Sequence, residues 1–195
     1  MNVRNPAVSG AFYPSEPDLL RQQLTTFLHQ AETVSNERAP TMLVVPHAGY
    51  AYSGQIAADA YAHLADFTTA YHRVIVLGPS HRVAVEGIAI TDEDSFRTPL
   101  GDVPIDTAAM QQLSAQSAVQ IRPDAHALEH SLEVQLPFLQ SQLTDFLLVP
   151  LVVGHASANQ VKAAIEAVWD DRTLLVVSTD LSHFLYNADA NRVDS

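Results

Sequence analysis

Val74-Ile75-Val76-Leu77-Gly78-Pro79-Ser80-His81 is the stretch that decides the fold. Its first four residues are apolar on both alternating sides, as in a strand whose sheet is covered on both faces. Gly78 and Pro79 then shape a tight loop, and a histidine follows at once. The pattern recurs twice. Val44-Val45 runs into Pro46-His47-Ala48-Gly49-Tyr50, and Leu175-Val176-Val177 runs into Ser178-Thr179-Asp180-Leu181-Ser182-His183.

Between these runs the periodicity is helical. Pro17 to Gln30 reads as a helix with Ser15 as its N-cap, and Gln55 to Leu64 and Asp106 to Gln116 read as further helices. Leu128, Leu132, Leu136, Leu139 and Leu143 fall at helical spacing, with a kink or break expected at Pro137. Ser157 to Trp169 opens with a Ser-x-x-Gln box formed by Ser157 and Gln160. Thr41 to Val45, Arg73 to Leu77, Gly87 to Thr91, Leu147 to Val153 and Thr173 to Val177 read as strands. Phe96 to Asp106, with Pro99, Gly101 and Pro104, reads as a turn or irregular hairpin. The expectation is an α/β fold with a mostly parallel central sheet flanked by helices. Its 195 residues make one domain, 1–195.

Parallel strands put their carboxyl ends on one edge, where open α/β sheets bind ligands. His47, His81 and His183 are therefore expected to converge there. Neutral imidazole binds Fe, Cu or Zn and also moves protons near neutrality. Asp180 could orient an imidazole or add a carboxylate ligand. Glu129-His130-Ser131-Leu132-Glu133 is read as a helix start with Glu129 and Glu133 on one face; His130 and Glu129 are candidate supporting or substrate groups. Tyr50, in Gly49-Tyr50-Ala51-Tyr52-Ser53-Gly54, is a candidate to line a pocket. His155 suits a loop or cap, His29, His63 and His72 suit surface positions, and His126 sits in a polar connection without an assigned role.

Composition narrows the classes. With 47% hydrophobic and 16% charged residues the chain suits a globular fold. Ten Lys and Arg against 22 Asp and Glu give a net charge of −12, which repels nucleic acid and anionic membranes. There is no cysteine, so disulfides and thiolate ligands are excluded within this sequence. No signal-peptide pattern or membrane-length apolar run occurs, and a cytoplasmic location is expected.

The motifs together resemble one family. Arg4-Asn5-Pro6-Ala7-Val8-Ser9-Gly10-Ala11-Phe12-Tyr13-Pro14, the block from Pro46 to Gly54, Leu77 to His81, Thr98-Pro99-Leu100-Gly101, Glu129 to Glu133 and Ser178 to His183 are similar, in order, to the MEMO family, also called AmmeMemoRadiSam system protein B. The resemblance implies a fold like that of the extradiol ring-cleaving dioxygenases. It implies His47 and His81 as metal ligands, His183 as an acid–base histidine and Asp180 as a site residue. The implied cofactor is Fe(II) or Cu, with Zn as the alternative. The implied partners are radical SAM and AMMECR-type proteins. Family members continue further and take a third ligand from a later cysteine, so the C-terminal part of the family fold is expected to be missing here. Asp180, Glu129 or His130 would then replace that ligand. The expected function is a metal-dependent redox or oxygenase-like protein; the alternative is a non-catalytic module that binds a peptide or protein on the same fold.

Overall fold

The apolar run Val74 to Leu77 lies inside a strand, Arg73–Pro79, that is hydrogen-bonded on both sides. Val74, Ile75 and Val76 are completely buried, as continuous apolar character requires. This computed structural model describes residues 2–32, 37–182 and 185–194.

In chain order the elements are β1 (Val3–Arg4), α1 (Pro17–Gln30), β2 (Met42–Val45), α2 (Tyr50–Tyr61), a 3-10 turn (Ala62–Phe67), β3 (Arg73–Pro79), β4 (Ile88–Ile90), β5 (Ser95–Thr98) and β6 (Gly101–Pro104). There follow α3 (Thr107–Ser114), β7 (Val119–Ile121), α4 (Pro123–Ala127), a second 3-10 turn (Glu133–Gln135), α5 (Leu136–Gln142), β8 (Leu147–Val153), α6 (Ala158–Val168), β9 (Thr173–Ser178) and α7 (Asn187–Val193). The main sheet has the order β2-β9-β3-β8-β4-β7. Its pairings are parallel except β4 with β8. A smaller sheet, β1-β5-β6, contains the antiparallel hairpin expected between Phe96 and Asp106. The fold is thus α/β with a mixed, mostly parallel sheet. Among the described residues no helix is long and apolar enough to cross a membrane.

The parallel trio β2-β9-β3 matters most for the site. Val45 pairs with Ser178, and Leu77 pairs with Val177, so the three strands end level with one another. On the side of β2 away from the core, Met42 and Val44 are both exposed.

Several local expectations are corrected. α1 has Glu16 rather than Ser15 at its N-cap, and no side chain caps it; Pro17 in the first turn supplies the start instead. Helix α2 runs from Tyr50 to Tyr61, so it starts five residues before the expected Gln55 and takes in the segment around Tyr50 as its first turn. Tyr50 and Tyr52, two positions apart on that helix, point different ways: Tyr50 is buried and Tyr52 is 88% exposed. The helix expected from Leu128 is replaced by an irregular segment, and regular helix begins only at Leu136, with Pro137 in its first turn. The capping box of Ser157 and Gln160 forms as expected and opens α6.

Candidate metal centre

His47 lies two residues beyond β2, His81 two beyond β3 and Asp180 two beyond β9. The level strand ends therefore bring these residues to one edge of the sheet. The irregular segment 129–135 crosses that edge and is tied to every strand end. Ser131 Oγ donates to the Pro79 carbonyl (2.9 Å), Ser178 Oγ donates to the Ser131 carbonyl (2.6 Å), and Gln135 Nε2 donates to the Pro46 carbonyl (2.9 Å). Gly78 permits the approach: a Cβ there would sit 2.8 Å from Ser131 Oγ and 2.9 Å from Leu132 Cδ2.

Through this segment His130 joins His47 and His81. One ring nitrogen from each of the three lies within 4.8 Å of the others. The His81 and His130 rings stack with centroids 4.6 Å apart, and His47 stands edge-on to both, at 5.2 and 5.7 Å. His47 is buried, His130 is partly buried, and the His81 side chain is one-third exposed, which leaves the cluster open on one side.

Glu129 anchors the group. Its carboxylate accepts from the His81 backbone N–H (2.6 Å), the His81 ring (Nδ1 at 2.9 Å), and the backbone N–H groups of His130 and Ser131 (both 2.9 Å). Burial pushes this carboxyl up, but the His81 ring, the backbone donors and the His81 charge outweigh it and hold the group at about 2. An ionised carboxylate only accepts, so the His81 Nδ1 bears a proton, and Nε2 is the nitrogen left to ligate when the ring is neutral.

Asp180 accepts from the His47 backbone N–H (2.5 Å), and its other oxygen lies 3.7 Å from His47 Nε2. Leu181, next to it, adopts a left-handed backbone with φ of 60°, so the turn after β9 is strained beside the site. Burial pushes the His47 and His130 imidazoles below their ordinary value, with neighbouring imidazoles adding to the shift and the nearby carboxylates opposing it. Both rings are therefore neutral at pH 7, the form that ligates metals. His47 Nε2 and His130 Nδ1 are buried with no hydrogen-bond partner. Unmet buried nitrogens facing other imidazoles and a carboxylate are what a cation would satisfy, so the donor set fits a metal ion.

The other sequence candidates fall elsewhere. The Tyr50 hydroxyl donates to the Val134 carbonyl (2.7 Å), and its ring packs against Tyr13, Phe27 and Phe138, so it supports the core beneath the segment. Glu129 and Glu133 do not share a face. Glu133 is completely buried, where it pairs with Arg4 and accepts from Tyr13 Oη (2.5 Å), Ala7 N (2.7 Å) and Val8 N (3.1 Å). His183 lies outside the described residues. His126, expected in a polar connection, ends up buried on α4, with its Nε2 donating to the Ala89 carbonyl (3.1 Å). Ser178 and Gln135, both buried at the site, were not singled out from the sequence; for Ser178 a polar residue closing an apolar strand was the available signal.

Fold and site together define an α/β protein with a histidine cluster at the carboxyl edge of a parallel sheet. The family follows from comparison with known proteins. A family profile described as Memo-like protein matches residues 4–194. A MEMO1 family protein of Methanobrevibacter smithii is 36% identical over 98% of this chain and 73% of the relative. One from Ignicoccus hospitalis is 38% identical over 94% of this chain and 70% of the relative. One from Aquifex aeolicus is 34% identical over all of this chain and 72% of the relative. The chain belongs to the Memo-like family.

Proposed function

We propose that this protein holds a metal ion with His47, His81 and His130 and uses it in redox or oxygenase-like chemistry. The observation that carries the reading is the meeting of three ring nitrogens within 4.8 Å, two of the histidines having a buried nitrogen without a partner. When bound, Fe(II) or Cu would supply redox chemistry and open coordination positions, whereas Zn would supply Lewis acidity.

The chain's own residues divide the remaining work. His47 and His130 offer neutral nitrogens from buried positions, and His81 offers one at the open side, with Glu129 fixing its tautomer. The Asp180 carboxylate places negative charge 3.7 Å from His47 Nε2, which favours a cation there. The family resemblance implies an acid–base role for His183, which follows Asp180 by three residues in the sequence.

Metal content after anaerobic reconstitution with Fe(II), Cu(I) or Zn, measured by mass spectrometry, tests the reading. Near-stoichiometric metal is expected in the parent, and almost none in the His47→Ala/His81→Ala variant. His130→Ala distinguishes the three-histidine set from a two-histidine site: it should also lose the ion. No metal in the parent would sink this reading and favour a binding module on the same fold.

A further inference from the structure

A buried chain of hydrogen bonds runs from Tyr61 to His47. Tyr61 Oη donates to Gln135 Oε1 (3.0 Å). Gln135 Nε2 donates both to the Pro46 carbonyl and to Ser178 Oγ, each at 2.9 Å. Ser178 Oγ lies 2.6 Å from the Ser131 carbonyl and 3.0 Å from His47 Nδ1. Tyr61 and Gln135 are completely buried, and Ser178 is almost so.

The protons in this chain have one consistent arrangement. A carbonyl cannot donate, so the single hydroxyl proton of Ser178 goes to Ser131. The Gln135 amide is held nitrogen-first by the Pro46 carbonyl, so it fills one lone pair of Ser178 as a donor. One acceptor site remains on the hydroxyl, and it faces His47 Nδ1. That nitrogen must bring the proton, since two lone pairs would otherwise meet at 3.0 Å in a buried site. His47 Nε2 is then the bare nitrogen, which is the buried atom left without a partner.

We infer that Ser178, backed by Gln135 and Tyr61, is a positioning residue that locks His47 into the Nδ1–H tautomer and so presents its Nε2 lone pair for ligation. This rests on the metal reading above, but the lock is a property of the metal-free chain. Glu129 does the same for His81 by a different group, a carboxylate in place of a hydroxyl.

Two-bond 1H–15N correlation spectra of the metal-free, 15N-histidine-labelled full chain read each tautomer directly. The parent should show His47 protonated on Nδ1. Ser178→Ala should give a mixture at His47 while His81 stays unchanged. Zn(II), a diamagnetic probe, should bind Ser178→Ala about 10- to 100-fold more weakly than the parent, as expected for loss of a group that orients a ligand. Ser178→Thr, which keeps the hydroxyl, should restore both readouts. An Nε2–H tautomer in the parent, or an unchanged His47 tautomer in Ser178→Ala, would overturn the lock. A correct tautomer pattern with no Zn(II), Fe(II) or Cu(I) bound to the parent would sustain the lock and remove the metal reading instead.

Discussion

Glycine at position 78 is a requirement of contact. The strand passes so close to Ser131 and Leu132 that a Cβ would overlap side-chain atoms of both. Gly78→Ala should push away the segment that carries His130, costing about 1–3 kcal/mol of stability as overpacking does. Denaturant titration measures that cost, and metal affinity should fall with it. His126 makes a second prediction at this scale. Burial depresses its imidazole to about 4, with Arg4 adding to the shift and the Ala89 carbonyl, Glu129 and Asp124 opposing it. In the unfolded chain a histidine titrates near 6.5. Between these values the unfolded state binds more protons, so stability falls as pH drops from about 6.5 to about 4. The loss amounts to about 3 kcal/mol. His126→Gln should flatten this part of the stability-against-pH curve; a curve as steep as the parent's would refute the assignment.

The N-terminal block and segment 129–135 behave as one element. Arg4 pairs with Glu133 and also donates to the backbone carbonyls of His126 (3.1 Å) and Glu129 (2.5 Å). It thus holds by its backbone the residue whose carboxylate orients His81. Removing one partner of a buried pair leaves an uncompensated charge, at a cost of about 3–5 kcal/mol. Arg4→Met should lose stability on that scale by chemical denaturation, and Arg4→Met combined with Glu133→Gln should recover part of it. This element also marks where the sequence was legible and where it was not. Apolar runs such as Leu147 to Val153 announced their strands, because burial on both faces leaves a signature in composition alone. Leucines from Leu128 to Leu143 kept helical spacing without a helix at the start, because Glu129 takes up the His130 and Ser131 N–H groups and Ser178 takes up the Ser131 carbonyl. Side chains that take up backbone groups in this way, one of them 47 residues along the chain, leave no local period. His130 was therefore legible only as one of three alternatives, with Asp180 and Glu129, for a third ligand beside His47 and His81. Short β7 and α4 escaped for a simpler reason: three and five residues are too few for a period to show.

At the scale of the molecule, binding to the folded form alone adds stability. An ion at a hundred times its dissociation constant should raise unfolding free energy by about 2.7 kcal/mol. Thermal melts with and without Zn should show the rise in the parent and none in His47→Ala/His81→Ala. An equal rise in both would place the ion elsewhere.

The three ring donors come from positions 47, 81 and 130, and the hydroxyl behind His47 comes from position 178. They meet only where β2, β9 and β3 already lie side by side, with β9 between the other two. During synthesis, the first two histidines leave the ribosome long before the strand that separates their own has been made. The three rings are thus held in this arrangement only once translation has passed residue 178, and any ion that needs all three would be taken up after β9 has joined the sheet.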